Sequence, residues 1–556
     1  MNGLINAVIR VQMAWRSVVL WRPFLRLTRA PDFTQGAVLK SILNRHRDTR
    51  FGREHKFATI ASPEEYAARV PLQSYETLRP YIEQQQLGTH RQLTAEDPIL
   101  FAQTSGTTGR PKYIPILPQT VTSAKRNQRL FAYCLHSALP AVFHGKTLAF
   151  VSPAVEGALP SGVPFGSMSG LIYRSMPWLL RRRYVIPAAV FDVSNHEIKY
   201  ILIAAFALAE RSVTYLAAAN PSTLLKLAEV IRQHHPTLLV AVELGKLPGL
   251  DRLDAVTARA IQPAFAAQPR RAAELRRILS TDAPHLFSAL WPELKAVSCW
   301  REGSCRLLLP ALGKLFRPDL PVLELGYLSS EARGSLPVDS LQRREVPSLH
   351  ENYFEFIERS DWEAGRTIIQ RLGQLEVGRA YYVILTTPAG LYRYFMNDVI
   401  TVDGRFEQTP TIKFLEKGAG VTNITGEKLY ESQVSEALEA VLMETGQSAL
   451  FFVMVADEEN LHYDLYLEAT ATPPVDFIDK LDTQIATRNL EFQAKRASGR
   501  LRPTRLTLLR AGASEAFKAY FVAQGQREAQ FKFVRLQTRA RLTFDFAAHC
   551  LISPPA

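Results

Sequence analysis

Cysteine is scarce. The 556-residue chain has four, Cys134, Cys299, Cys305 and Cys550, too few for a disulfide scaffold and at spacings that fit no zinc pattern. Folding without staples in a reducing, cytoplasmic setting is therefore expected. Long apolar runs are lacking too: the longest candidate, Tyr200 to Ala209, is cut by Glu210 and Arg211, short of the ~18–20 residues that a spanning helix needs. Acids are missing before Asp32, where Arg10, Arg16, Arg22 and Arg26 alternate with apolar residues. Arginines inside the would-be apolar core argue against a secretory signal, and an amphipathic helix packed on the domain is expected over a targeting or surface-anchoring segment. No Ser/His/Asp or Cys/His constellation stands out among the twelve histidines.

What is present is the balance of a globular protein. Hydrophobic residues make up 47% and charged residues 21%, which excludes disordered and fibrous classes. The length suits two to four domains, or a large domain plus a smaller one. The net charge of +13 favours an anionic partner without choosing among nucleotide, membrane and nucleic acid. It is unevenly placed: residues 483–556 hold thirteen Lys/Arg against four Asp/Glu, and residues 426–482 hold two against thirteen.

Periodicity gives helices alternating with short apolar strands, an α/β pattern. Helices are predicted after Thr120 to about Ser137, after Asn195 to about Arg211, over Pro221 to about Gln233 and over Leu253 to about Leu279. Strands are predicted at Thr147–Val151, Val322–Tyr327, Tyr353–Ile357, Arg379–Leu385, Val399–Val402 and Thr411–Leu415. Two glycines in Lys417-Gly418-Ala419-Gly420 mark a bend. The division read from this is a large domain over 1–416, a hinge over 417–425 and a small α+β domain over 426–556. In the last, helix Glu431–Glu444, strands Ala449–Val455 and Leu461–Glu468, a helix over about 474–490, strand Thr504–Leu509 and a helix from Ser514 suit a sheet of three or more strands.

The strongest chemical signal is Thr104-Ser105-Gly106-Thr107-Thr108-Gly109-Arg110-Pro111-Lys112, flanked by the apolar runs Pro98–Ala102 and Tyr113–Ile116. It joins two strands, and its hydroxyls and exposed N–H groups suit phosphate oxygens, although the spacing is not that of a Walker A loop. A glycine-rich turn without a ligand fits the composition equally well. Tyr327-Leu328-Ser329-Ser330-Glu331 ends a strand, where ligands of open α/β sheets gather; the ring can stack on a base and Glu331 can hold Mg²⁺, or remain a solvated acid. In Tyr392-Arg393-Tyr394-Phe395-Met396-Asn397-Asp398 the last carboxylate can accept from a ribose diol or close an Asx turn. Lys428 and Lys532, in Gly426–Leu429 and Gln530–Arg535, can reach a site when a small domain closes.

In this order and at these separations the segments resemble the Gretchen Hagen 3 family of acyl-acid amido synthetases, relatives of the adenylate-forming acyl-CoA synthetases. Gly162–Gly170 and Tyr353–Phe356 add to the likeness. The resemblance implies a large N-terminal domain binding ATP and an acyl acid, a small rotating lid, and ATP- and Mg²⁺-dependent adenylation of a carboxylic acid followed by amide formation with an amine, usually an amino acid. It assigns Thr104, Ser105, Gly106, Thr107 and Thr108 to the phosphates, Tyr327 and Ser330 to the nucleotide, Glu331 to Mg²⁺ and Asp398 to ribose. Lys417 is placed near the nucleotide, and Lys428 and Lys532 are the mobile lysines. Phe165, Met168 and Tyr173 would line the acid pocket, with core packing as the alternative for each. Two departures stand out: Asn397 where the family usually has glycine, and Glu416-Lys417 where it offers arginine. Asn tolerates the left-handed region, so the turn is expected to survive; Lys lacks the bidentate fork. Coenzyme A or a carrier thiol as acceptor, and a nucleotide-binding protein impaired in catalysis, are the rival readings. A monomer without nucleic-acid partners is expected.

Overall fold

Side-chain caps set the helices of the first unit. Asn195 accepts from Ile198 N and opens helix His196–Ala209, and Asn220 accepts from Ser222 N ahead of Pro221–Leu244. The computed structural model describes residues 2–104, 112–281, 284–418, 420–425, 427–524 and 533–551. Between those helices run four parallel strands, Lys146–Ala149, Val213–Ala217, Ala296–Cys299 and Val322–Glu324, side by side in chain order. Their crossover helices bury a common core.

Several predicted bounds shift for local reasons. Helix Pro221–Leu244 continues past Gln233 through Pro236, because Leu238, Leu239 and Val242 bury on the same face. The predicted helix Leu253–Leu279 is broken into Ala255–Ile261, a 3-10 turn Gln262–Ala264 and Pro269–Leu279, as the missing N–H groups of Pro263 and Pro269 require. Val213–Ala217 and Ala296–Cys299 were not predicted; the second is four residues buried throughout, with no alternation to betray it.

A second layer is a five-stranded antiparallel sheet in the order Ile369–Arg371, Tyr353–Glu358, Ala380–Thr386, Tyr394–Phe406, Thr409–Lys417. Strand Tyr394–Phe406 is far longer than the predicted Val399–Val402 and keeps its pairing across register shifts. The strands Leu100–Thr104 and Lys112–Ile116 pair as a hairpin, with Pro164–Gly166 alongside in parallel.

Residues 429–550 carry apolar clusters of their own. Helix Glu431–Glu444 lies where the periodicity puts it, and a four-stranded sheet runs Arg505–Leu508, His462–Ala469, Ala449–Asp457, Leu536–Thr538. Alternation divides the third of these: Phe452 and Met454 face one cluster, Phe451, Val453 and Val455 the other. The strand is therefore covered on both faces.

Candidate active site

The sheet order brings distant segments to one place. Asp398 sits directly opposite Lys417 in the antiparallel ladder of strands Tyr394–Phe406 and Thr409–Lys417. Lys417 Nζ pairs with Asp398 Oδ1, and the Tyr327 hydroxyl donates to Asp398 Oδ2 at 2.5 Å. Asp398 is fully buried, so these two partners replace the water that its charge would otherwise need. The preceding Asn397 has φ 52°, and its carbonyl accepts from Gly418 N at 2.8 Å. The left-handed turn is thus kept with asparagine in place of glycine.

Glu331 extends this arrangement. It is half-buried and acts electrostatically on Lys112, Lys417, Tyr327 and Tyr394. Burial pulls the Lys112 ammonium below its ordinary value while Glu331 works against that. For Lys417 burial again opposes the charge, but Asp398 and Glu331 prevail and its pKa rises. Two cations and two carboxylates therefore meet beside the paired strands Leu100–Thr104 and Lys112–Ile116. Thr104 ends the first strand and pairs with Lys112; Ser105, Gly106, Thr107 and Thr108 lie outside the described residues, as does Lys532.

Tyr327 is not an open platform. Its ring is 4% exposed, stacks on Phe414 with centroids 5.8 Å apart, and abuts Gly334, where an added Cβ would collide with it. Burial, then Asp398, drives its pKa far up, so the hydroxyl stays a donor. Beside it is a cavity of about 40 Å³ bounded by Trp300, Cys305, Gly326, Glu324 and Glu345, large enough to hold water. The expected stacking on a base therefore requires movement of this ring or use of its rim. Ser330 lies half-buried between Tyr327 and Glu331 in sequence.

Two buried acids frame that cavity. Glu324 accepts from the backbone N–H groups of Arg301, Leu325 and Gly326. Glu345 accepts from Ser335 Oγ at 2.7 Å, and Ser335 Oγ in turn accepts from Tyr327 N. Burial and the repulsion of Glu345 raise the Glu324 pKa, and burial raises that of Glu345. Since the ordinary value is 4.5, the unfolded chain releases these protons first. Their contribution to stability is full below pH 4.5 and is lost as pH rises through the folded-state values. Urea unfolding at pH 5 and pH 8 is expected to show wild type losing at least about 1 kcal/mol more over that interval than Glu324→Gln, whose amide mimics the protonated acid; equal losses would refute the assignment.

The remaining predicted residues separate. Phe165 packs its ring against Tyr113 at 5.7 Å and shares a cluster with Met168. Tyr173 belongs to the other core, 3% exposed, with its hydroxyl donating to the Ile186 carbonyl; it is a core residue and not part of a pocket with those two. Lys428 has φ 35° and donates to the carbonyl of Glu363 at 3.4 Å. Around it lies a junction that sequence reasoning missed. The Glu416 carboxylate accepts from Arg359 Nη2 at 2.5 Å and from Ser432 N at 2.6 Å, Arg359 lies over the Tyr430 ring, and the Tyr430 hydroxyl donates to Glu363. Gly418 is required beside it because an added Cβ would meet the Tyr382 ring and the Asn397 side chain. Arg359 and Glu363 stand in a short helix with no motif, so only their neighbours reveal them.

A large α/β body, a five-stranded antiparallel sheet and a C-terminal α+β unit define a fold shared with acyl acid amido synthetases. The structure matches the GH3.15 acyl acid amido synthetase over 95% of both chains, with TM-score 0.84 at 22% identity. The chain belongs to the GH3 family: the GH3 family N-terminal domain matches residues 21–322, the central domain 346–417 and the C-terminal domain 432–541. Among its relatives is the indole-3-acetic acid-amido synthetase GH3.3 of Arabidopsis thaliana, 23% identical, with 92% of this chain and 90% of the relative covered. Another is GH3.8 of Oryza sativa subsp. indica, 24% identical, with 92% and 89% covered.

Proposed function

We propose that the protein activates a carboxylic acid with ATP as an acyl-adenylate and passes the acyl group to an amine, an amino acid as the family resemblance implies, in keeping with the amido synthetase names of its relatives. The observation that carries this reading is the meeting of Asp398, Lys417, Tyr327, Glu331 and Lys112, from four separated segments, in one electrostatic neighbourhood.

The donor set fits the reaction. Two anions must approach each other, so cations have to stand where charge gathers. Lys112 and Lys417 supply them, and Glu331 is the carboxylate able to hold Mg²⁺, which would neutralise phosphate charge. Asp398, held by Tyr327 and Lys417, is the ribose acceptor of this scheme, which requires that buried cluster to open to the nucleotide. Holding the reacting groups in line can contribute about 7–11 kcal/mol of the barrier. The Ser105–Thr108 segment is the phosphate loop of this scheme, Phe165 and Met168 contribute to the acid pocket, and residues 426–556 act as a lid turning about 417–425 to bring Lys428 or Lys532 in.

Acid-dependent exchange of pyrophosphate into ATP, measured over aryl and acyl acids, tests this. Exchange with at least one acid is expected, with Glu331→Ala at least about tenfold slower. No exchange with any acid, or full exchange by the variant, would defeat the reading.

A further inference from the structure

Residues 2–28 form one helical rod: Asn2–Arg16, a π-helical turn Ser17–Trp21 and Arg22–Thr28, with Arg16 and Trp21 themselves in the right-handed helical region. At about 1.5 Å per residue it is roughly 40 Å long. Its inner side is anchored. Met13 and Phe24 are buried, the Tyr133 hydroxyl donates to Ser17 Oγ at 3.2 Å, and the Trp21 ring meets that of Tyr133. Its outer side is apolar. Val8, Val11, Trp15 and Val18 recur at helical spacing, each more than half exposed and Val11 at 72%, with Val19 adjoining. Single exposed valines are ordinary; a continuous stripe that includes a tryptophan marks a contact surface.

The charge carried by the rod itself has one sign, although Arg16 is buried. Five arginines and no acid precede Asp32. Arg22 and Arg26 are exposed and carry the stripe's 3–4 spacing onward, while Arg29 is paired with Glu407. The helix Pro118–Ala138, against which the rod packs, carries Lys125, Arg126 and Arg129 and no acid, with Arg126 and Arg129 exposed.

We propose that this face docks the protein onto an anionic lipid surface. The rod lies in the plane of the interface, with the valines and Trp15 at the boundary between headgroups and acyl chains and the bases on lipid phosphates. Among the described residues no helix is long and apolar enough to cross a membrane, so the attachment is peripheral. A second copy would bring two net-basic faces together against their repulsion. The rod also stands proud, with Arg10, Val11, Gln12, Ala14 and Trp15 all exposed. A folded partner would have to supply a whole groove for it, whereas lipid deforms around a ridge. The stripe precedes residue 21, where the family match begins, and so adds to the adenylation site without sharing residues with it.

Co-sedimentation of the full chain with vesicles of phosphatidylcholine alone, or with a quarter of phosphatidylglycerol, tests this at low and high salt. Binding to the anionic vesicles that weakens with salt is expected. Trp15→Glu and, separately, Val11→Glu should each lower partitioning by more than about tenfold, and Arg22→Gln by about fivefold, with acid-dependent exchange unchanged in all three. Failure to bind anionic vesicles, equal binding to neutral ones, or indifference to both glutamate variants would overturn it. A dimer abolished by Trp15→Glu without vesicle binding, or vesicle-free binding to an acidic peptide, would reassign the surface and equally overturn it.

Discussion

Asp398→Ala is expected to lower acid-dependent pyrophosphate exchange by about 10²–10³-fold, the range seen when one preorganised polar contact to a reacting complex is lost. Asp398 is fully buried, holds Lys417 on one oxygen and the Tyr327 hydroxyl on the other. Alanine therefore frees the ammonium and the ring at once and, in the proposed scheme, also removes the ribose acceptor. Asp398→Asn should fall between, since the amide oxygen can still accept from Tyr327 while the charge opposite Lys417 is gone. Steady-state exchange against ATP concentration, with far-UV circular dichroism to confirm folding, reads this out. A folded Asp398→Ala with wild-type exchange would remove the residue from the nucleotide site.

The second large effect is on stability. Arg393 and Glu355 form an ion pair at 2.9 Å with side chains 5% and 1% exposed, and Arg393 Nη1 also donates to the carbonyls of Ala67 and Val70 at 2.8 and 2.7 Å. The guanidinium thereby ties the five-stranded sheet to the N-terminal helices. Burial raises the Glu355 pKa and Arg393 counters it, so Arg393→Ala strands a carboxylate in the core. A loss of about 3–5 kcal/mol in urea unfolding is expected. The double change Arg393→Met with Glu355→Leu should recover much of it, because removing both charges abolishes the desolvation penalty. A single-variant cost under about 1 kcal/mol would show that water reaches the pair.

The legible parts of the fold were those with local grammar. Asn195 and Asn220 announce their helices, and Leu100–Thr104 pairs with Lys112–Ile116 as the apolar runs on either side of the hydroxyl-rich segment require. Asp398 and Lys417 were each nameable from motif and resemblance. Their direct opposition was not, because it depends on the register of a strand pair that bulges between Val399 and Ile400 and again between Val402 and Gly404. Strand Ala296–Cys299 escaped because full burial erases the period-two signal. Tyr173 misled because an aromatic five residues on from Met168 fits a pocket as well as a core until its hydroxyl is seen on Ile186. Arg359 and Glu363 are ordinary surface letters in sequence and become a junction only when Glu416, Tyr430 and Ser432 gather around them.

Glu416 and Lys417 are neighbours on an edge strand, so their side chains leave it in opposite directions. One grips the start of the helix Glu431–Glu444 through Ser432, the other grips Asp398. Rotation of the C-terminal unit would pull on the first and be transmitted to the second across a single peptide bond. Under the proposed lid motion, Asp398 would feel the posture of the C-terminal unit through one dipeptide, with no chain of intermediaries.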